Sequence, residues 1–383
     1  MSKLTRYKLS DLYEMSSGIS STKEQAGHGY PFVSFSTVFN NFFLPEELPD
    51  LMDTSSEEQE TFSVKKDDVF ITRTSETVDA LAKSCVAVKD YPKATFSGFV
   101  KRLRPKKKGI VYSRYIAFFL RSKYFRKVLD CNTIMTLRAS FNEDIFSFLY
   151  LYLPNYEEQV RIGDFLYKIE MKIRKNNKIN DNLLATTQAI YKSWFVDFEP
   201  FDNVCPSDWG NGCVDDIAEF YDSMRKPLSS LERADMERIY PYYGAVSIVD
   251  YVDDFIFDGE YLLLSEDGIY VVDENGHPLL QHITGKFWAN NHAHILKGKS
   301  GFNEDSLYLF LANTNMAPIV TGAAQPKINQ ANLKSFSITI PTSEVIENFN
   351  ALIQPFFDQR LSNEAEVKKL ESLKDLLLSR LVN

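Results

Sequence analysis

A shift of 187 residues lays this chain on itself. Pro154 falls on Pro341, each closing an alternating stretch (FSFLYLYLP and KSFSITIP), and Phe141-Asn142 falls on Ile328-Asn329. Further on, Ile162, Phe165, Leu166, Ile169, Leu183, Ile190 and Trp194 fall on Phe349, Leu352, Ile353, Phe356, Leu370, Leu377 and Leu381, with Asn176 on Asn363. An ungapped run of apolar matches in phase with a matched asparagine marks an internal duplication. Upstream of each run the match is poor, apart from echoes such as KKDDVFIT against IFDGEYLLL. A variable globular domain followed by a long helix, twice over, is the expected organisation.

Spacing defines the helices. In the first, Ile162, Ile169, Asn176, Leu183 and Ile190 recur every seven residues; Phe165 and Ile179 take the partner position, flanked by Leu166, Ile173 and Trp194. Phe349, Phe356, Asn363, Leu370 and Leu377 repeat the pattern in the second, with Leu352 and Leu373 added. Gly163 and Pro355 weaken only the early turns. A helix of roughly 33 residues is about 50 Å long, too long for one face of a compact domain, so helix against helix is the natural packing. An antiparallel pair about a pseudo-two-fold axis would bring Asn176 and Asn363 together, a polar seam contact that costs stability and fixes register. It would also place a globular domain at each end. The first helix ends in AIYKSWFVDFEPF, where Tyr191, Trp194, Phe195 and Phe198 form an apolar cluster suited to a joint with the next domain or a partner helix.

The fold expected is α+β: two small, mostly-β domains (residues 1–153 and 201–340), joined by a central helix and connector (154–200) and a C-terminal helix (341–383). In the first domain YPFVSFSTV, DDVFITRT, KSCVAVK and ATFSGFVKRLRP read as strands, and IVYSRYIAFFLRSKYFRKVL as one amphipathic helix. RIYPYYGAVSIVDYV, GEYLLLSEDGIYVVD, KFWANNHAHILKG and SFSITIP are the strand signals of the second, with DSLYLFLAN a short helix.

Neither a signal peptide nor a membrane span is evident, and a cytoplasmic setting is expected. Cys85, Cys131, Cys205 and Cys213 lack metal-type spacing and read as buried apolar residues. The His277, His282, His292 and His294 group has no recognised ligand pattern, so hydrogen-bonded structural histidines are expected rather than a metal. No phosphate-cradling loop, nucleophile elbow or HExxH is present. Chemistry is not expected of this chain.

The overall charge of −9 hides an asymmetry. Residues 1–153 carry 22 Lys and Arg against 18 Asp and Glu, whereas residues 201–340 carry 9 against 20. The basic run KRLRPKKK supplies Arg102, Lys106 and Lys107 as candidate phosphate contacts. Inter-strand loops supply candidate base readers, because Arg reads guanine and Asn or Gln reads adenine bidentately. In the first domain these are Arg73, Thr74, Ser75, Arg138 and Asn142; in the second, Arg225, Lys226, Tyr243, Lys286, Asn290, Asn291, Gln325, Lys327 and Asn329. Two rival readings remain open on residues alone: an interaction scaffold with no DNA sequence preference, and a metalloenzyme built on the histidines.

The stretch LPNYEEQVRIGDFLYKIEMKIRKNNKINDNLLATTQAIYKSWFVDFEPF resembles the central conserved region of the DNA specificity subunits of type I restriction–modification systems. RIYPYYGAVSIVDYVDDFIFDGEYLLLSEDGIYVV, GKFWANNHAHIL and TGAAQPKINQANLKSFSITIP are similar to a common form of that family's second target recognition domain. The final helix departs from the family pattern: it begins EVIENFNALIQPFF in place of a P-x-x-E-Q start. The resemblance implies a non-catalytic protein whose two domains each read half of an interrupted, asymmetric duplex sequence while the helices set the gap. It implies two methylation subunits clasping the helices and carrying S-adenosylmethionine themselves, with no cofactor on this chain and no membrane. Two restriction and translocation subunits could then join.

Overall fold

The computed structural model describes residues 4–20, 22–75, 81–132, 139–268, 271–322 and 324–381. They form two compact units, Met1–Asn176 with Ala365–Asn383, and Asn177–Glu364. The central helix Tyr156–Phe195 and the terminal helix Ser343–Ser379 each contribute to both units. Pro355 lies inside the terminal helix on its exposed side, where the missing N–H costs one backbone bond without ending the helix.

The first unit is built on a four-stranded antiparallel sheet in the order Tyr13–Ser17, Val100–Pro105, Val69–Thr72, Ser84–Val86. A second sheet takes Asp50–Met52, Ala26–Val33 and Thr95–Phe96. The expected strand YPFVSFSTV is only half strand. The Ser34 hydroxyl accepts the Thr37 N–H at 3.2 Å and starts the helix Phe35–Asn40, so an N-cap overrides the alternation. Likewise the helix expected over 110–129 is two helices, Ser113–Phe119 and Lys123–Asn132. Ser122 interrupts them, donating to Phe119 O (2.7 Å) and accepting from Phe125 N–H (3.3 Å). In FSFLYLYLP the first residues end the helix Glu143–Phe148, and only Tyr150–Leu153 is strand, paired with Thr5–Lys8.

The second unit holds a six-stranded sheet in the order Ala218–Phe220, Ala293–Gly298, Phe257–Ser265, Leu280–Ala289, Tyr240–Tyr243, Ile248–Val252. The helix Glu304–Ala312 packs on it through Leu307, Leu309 and Leu311, all buried. DSLYLFLAN is thus helical as expected.

The duplication runs through the globular parts, where the sequences match poorly. Val69 pairs with Leu103 and Thr72 with Val100, just as Leu262 pairs with Leu296 and Ser265 with Ala293: a shift of 193 on both strands. Thr5 pairs with Leu153 as Gly210 pairs with Ile340, with shifts of 205 and 187. Strand register is conserved between the halves although loop lengths are not.

The helices pair antiparallel within each unit. In the first, Glu170 meets Lys374 (2.9 Å) and Asn176 donates to Glu366 (2.7 Å), with Ile169 and Ile173 against Val367. In the second, Asn363 donates to Asn180 (2.8 Å), and Phe195 lies 4.7 Å from the Phe349 ring. The expected Asn176–Asn363 contact is therefore replaced: each amide bonds a residue three or four positions beyond the other. The seam's partner position also differs from expectation. Phe165, Leu352 and Leu373 are exposed at 53%, 42% and 40%, while Leu166, Ile173, Ile353 and Val367 are buried. The residue four after each heptad position faces inward, not the residue three after, because the globular cores cover that side: Leu166 joins the first core and Ile353 the second.

Candidate nucleic-acid interface

In the first unit three segments converge where the strand Val69–Thr72 ends. Arg73 donates its N–H to Phe99 O (2.9 Å) and accepts the Phe141 N–H (2.8 Å). Between Thr95–Phe96 and Val100–Pro105, Ser97 donates to Val33 O (3.0 Å), and its hydroxyl accepts the Phe99 N–H (3.2 Å). Thr74-Ser75 then pairs with Ala139-Ser140, just before Asn142 caps the next helix through the Ile145 N–H (3.0 Å). The second unit repeats this frame bond for bond. Glu266 donates to His292 O (2.9 Å) and accepts from Ile328 N–H (2.9 Å); Asn290 donates to Tyr243 O (3.1 Å). Asn290 Oδ1 accepts the His292 N–H (2.9 Å), Asp267 bridges Lys327, and Asn329 caps its helix through the Asn332 N–H (2.8 Å).

Arg73, exposed, and Thr74, half-buried, sit on the first frame with Asn142, whose carbonyl oxygen is engaged in capping. The side chain of Ser75, and Arg138 altogether, lie outside the described residues. The basic run divides. Arg102 turns inward: it is 8% exposed, donates to Ser63 O (2.7 Å) and lies over the Phe96 ring. Lys101 is buried too, bonding Ser17 Oγ (2.8 Å), and burial lowers its pKa against the opposing pull of Glu143. Lys106 is exposed and tied to Ser10 O (2.8 Å); Lys107 is exposed beside a cavity of about 300 Å³ shared with Lys66 and Lys108. The strand Val100–Pro105 is covered on both faces over its first four residues, so the start of the basic run is buried and only the lysines beyond the strand are exposed.

In the second unit two of the scarce cations, Arg225 and Lys327, are tied up in ion pairs to Glu266. Arg225 bonds Glu266 Oε2 (2.6 Å) and Ala293 O (2.7 Å), and Lys327 bonds Glu266 Oε1 (2.8 Å). Burial alone would raise the Glu266 pKa, but the bonds from Lys327 and Arg225 keep it below the usual range. His294, fully buried, joins this network through Asp222 (2.6 Å) and Ile328 O (2.8 Å). His282 bonds Glu260 at 2.6 Å. Asn290 is buried in the turn, whereas Asn291, beside it, and Gln325, in the loop leading to Lys327, are exposed. Tyr243 is half-buried against Phe287, and its phenol pKa rises by burial. Lys226 and Lys286 are exposed, the latter over the Phe255 ring. The frame thus gathers Arg225, Tyr243, Asn290, Asn291, Lys327 and Asn329 with His292 and Asp267, and in the first unit Arg73 with Phe99. Sequence reasoning did not single out Phe99 and read His292 only as a hydrogen-bonded structural histidine; the shift of 193 that aligns the two is carried by strand register and not by residue identity.

The helices carry a second candidate surface. In the first unit Ile162, Phe165, Leu166, Leu377 and Leu381 line a cavity of about 380 Å³ with Arg161 and Arg380 at its edge. In the second the Tyr191–Phe195 cluster closes on its own domain: Phe195 lies 4.7 Å from Phe310, Tyr191 5.1 Å from Phe310, and Trp194 5.6 Å from Phe349. Of the remaining seam residues, Leu183, Ile190, Phe356 and Leu370 are half-buried. Cys85 is buried as expected, but Cys205 is exposed and Cys213 intermediate, each in a loop or strand end that no core covers. No helix among the described residues is long and apolar enough to cross a membrane.

A family model described as the type I restriction modification DNA specificity domain matches residues 1–185 and again 206–374. A putative type I restriction enzyme specificity subunit of Haemophilus influenzae is 36% identical over 143 residues, spanning 36% of this chain and 36% of that relative. The MjaIX specificity subunit of Methanocaldococcus jannaschii is 24% identical over 326 residues, 78% of this chain and 74% of its own. The solved S subunit of a type I restriction–modification system from M. genitalium shares the fold, with a TM-score of 0.62 at 13% identity over 99% of this chain and 96% of that one.

Proposed function

This chain belongs to the type I restriction–modification DNA specificity family, and from that premise we propose that it is the subunit through which such a complex recognises DNA. Each globular domain, 1–153 and 201–340, reads one half of a bipartite, asymmetric duplex target. The shared helices set the gap between the halves and dock two methylation subunits, which supply S-adenosylmethionine and the adenine chemistry; two restriction subunits join that core. The chain itself does no chemistry. The observation that carries this reading is the recurrent frame. One set of backbone bonds presents Phe99 beside Arg73 in the first unit, and His292 beside Glu266 in the second. A common scaffold with unlike side chains is what two different half-site readers require. The exposed Phe165, Leu352, Leu373 and Leu376 offer apolar ridges for partner helices. Basic partner surfaces would compensate the acidic second domain at the phosphates.

The test is a selection from randomised duplexes by the full chain with its methylation subunits. Arg73→Ala should weaken recognition of one half-site by roughly 1–3 kcal/mol and leave the other intact. Lengthening both helices by one turn should lengthen the preferred gap. Equal loss in both half-sites, or an unchanged gap, would refute the two-reader model; no enrichment at all would favour a scaffold without sequence preference.

A further inference from the structure

We propose that the tip of the turn inside each frame reads a base: Phe99 in the first half-site, through an apolar contact with a thymine methyl, and His292 in the second, through its outward ring nitrogen. This rests on the DNA-reading role above and names the side chains that would set its specificity.

Phe99 is 66% exposed, so its ring adds little to the core. Its backbone is nevertheless held at both ends, the N–H by Ser97 Oγ and the carbonyl by the Arg73 N–H. Gly98 anchors the turn from below. Its N–H donates to Ile19 O at 2.7 Å, and a Cβ there would lie 2.9 Å from that oxygen. Arg73 Nη1 reaches Gly98 O at 3.4 Å, which lays the guanidinium along the turn that carries the ring. A rigid loop therefore presents a guanidinium and a phenyl side by side. These groups recognise guanine O6/N7 and the thymine methyl in a major groove.

The equivalent tip in the second unit differs in chemistry and not in construction. His292 donates its backbone N–H to Asn290 Oδ1, and its carbonyl accepts from Glu266. The His292 Nδ1 lies 2.7 Å from Asp267 Oδ1, and the Asp267 side chain is only 16% exposed. A carboxylate on one nitrogen fixes the ring and leaves the other, on the far edge of a half-exposed imidazole, to meet a hydrogen-bonding base edge. Orientation by a partly buried partner distinguishes this histidine from a solvated one.

The experiment uses the full chain with its methylation subunits, selecting from randomised duplexes with wild type, Phe99→Ala, His292→Ala and, as a control exposed residue of the second unit, Leu231→Ala. Phe99→Ala should flatten the preference by on the order of tenfold at one or two positions of one half only; His292→Ala should do so in the other half. Replacing the affected thymine with uracil should cost wild type as much as the substitution does, and cost Phe99→Ala nothing further. Melting temperatures matching wild type exclude a folding defect. Profiles unchanged in both halves, losses spread over both, or a uracil penalty equal in wild type and Phe99→Ala would each overturn the proposal while leaving DNA recognition standing. A wild type that enriches no sequence would instead remove the underlying reading, and this inference with it.

Discussion

Glu170 is where the first unit holds the terminal helix, and its replacement by glutamine is the sharpest structural test. The side chain is 9% exposed and sits between two cations: Arg174 at 3.2 Å on its own helix and Lys374 at 2.9 Å on the terminal helix. Glutamine keeps the shape and one acceptor oxygen but removes the charge. Lys374, 12% exposed beneath the Phe42 ring, is left without a counter-ion. Removing one partner of a buried pair costs about 3–5 kcal/mol. Arg174 is 27% exposed and keeps the Phe43 carbonyl at 2.9 Å, which brings the expected loss down to about 2–3 kcal/mol. Unfolding of a two-unit chain need not be two-state, so the better assay is native-state hydrogen exchange of residues 366–379. Protection there should fall by roughly 30- to 150-fold, the equivalent of that energy. Adding Lys374→Met should recover most of the loss, because the charge no longer needs a partner. Lys172→Ala, which removes only the solvent-exposed Lys172–Glu366 pair (side chains 48% and 45% exposed) and leaves Glu366 to accept from Asn176, should change nothing measurable. Unaltered protection in Glu170→Gln, or no recovery in the double variant, would refute the assignment.

Gly163→Ala should destabilise the first unit by about 1–3 kcal/mol despite alanine's better helix propensity, because a Cβ would meet Tyr115 N at 2.7 Å and the Tyr112 ring at 3.0 Å; a raised melting temperature would contradict this. Burial pushes the Asp305 carboxyl up to about 7, with His282 opposing, Glu260 and Asp358 adding to the rise, and Arg360 opposing. The folded state thus holds a proton that the unfolded chain releases near pH 4. This group's contribution to stability is present below that pH and declines as pH rises to about 7. Asp305→Asn should flatten stability between pH 4 and 7 and gain about 1–3 kcal/mol over wild type at pH 8; parallel pH curves would count against it. A thiol reagent should label Cys205 in the native protein but Cys85 only on unfolding, since Cys85 is fully buried and its thiol pKa is pushed up to about 12 by that burial. Immediate labelling of Cys85 would show that its core is open.

How much of this was legible in the sequence depends on what holds each part together. The long helices were legible because their packing repeats with a period written in side chains, and Ile169, Asn176, Phe349 and Asn363 all lie inward as their spacing requires. The partner position was misplaced by one residue because heptads alone do not reveal which flank a globular core will cover, and Phe165 and Leu352 consequently face out. Capped segments misled in the other direction: FSTV and FSFL alternate like strands, yet Ser34 and Asn142 turn them into helices. Arg73 was found because it follows a strand, but Arg102 and Arg225 look identical to it in sequence and differ only in which way their strand or turn aims them.

The frame itself was the least legible part, for a reason that bears on function. Its bonds run from backbone to backbone: Arg73 to Phe99 and Phe141 in one unit, Glu266 to His292 and Ile328 in the other. Such bonds place almost no demand on side-chain identity, so the two halves preserve register while their residues drift and their loops change length. A protein that must present two different readers on one architecture needs this separation of support from display. Side chains that carried the turn would be fixed, and the target would be fixed with them. Ser97 and Asn290 mark the limit of that freedom, since both must supply an acceptor for the N–H two residues on. Replacing either with alanine leaves that N–H unpaired at a loss of about 1 kcal/mol. The turn, and with it one half-site, should blur before the fold does.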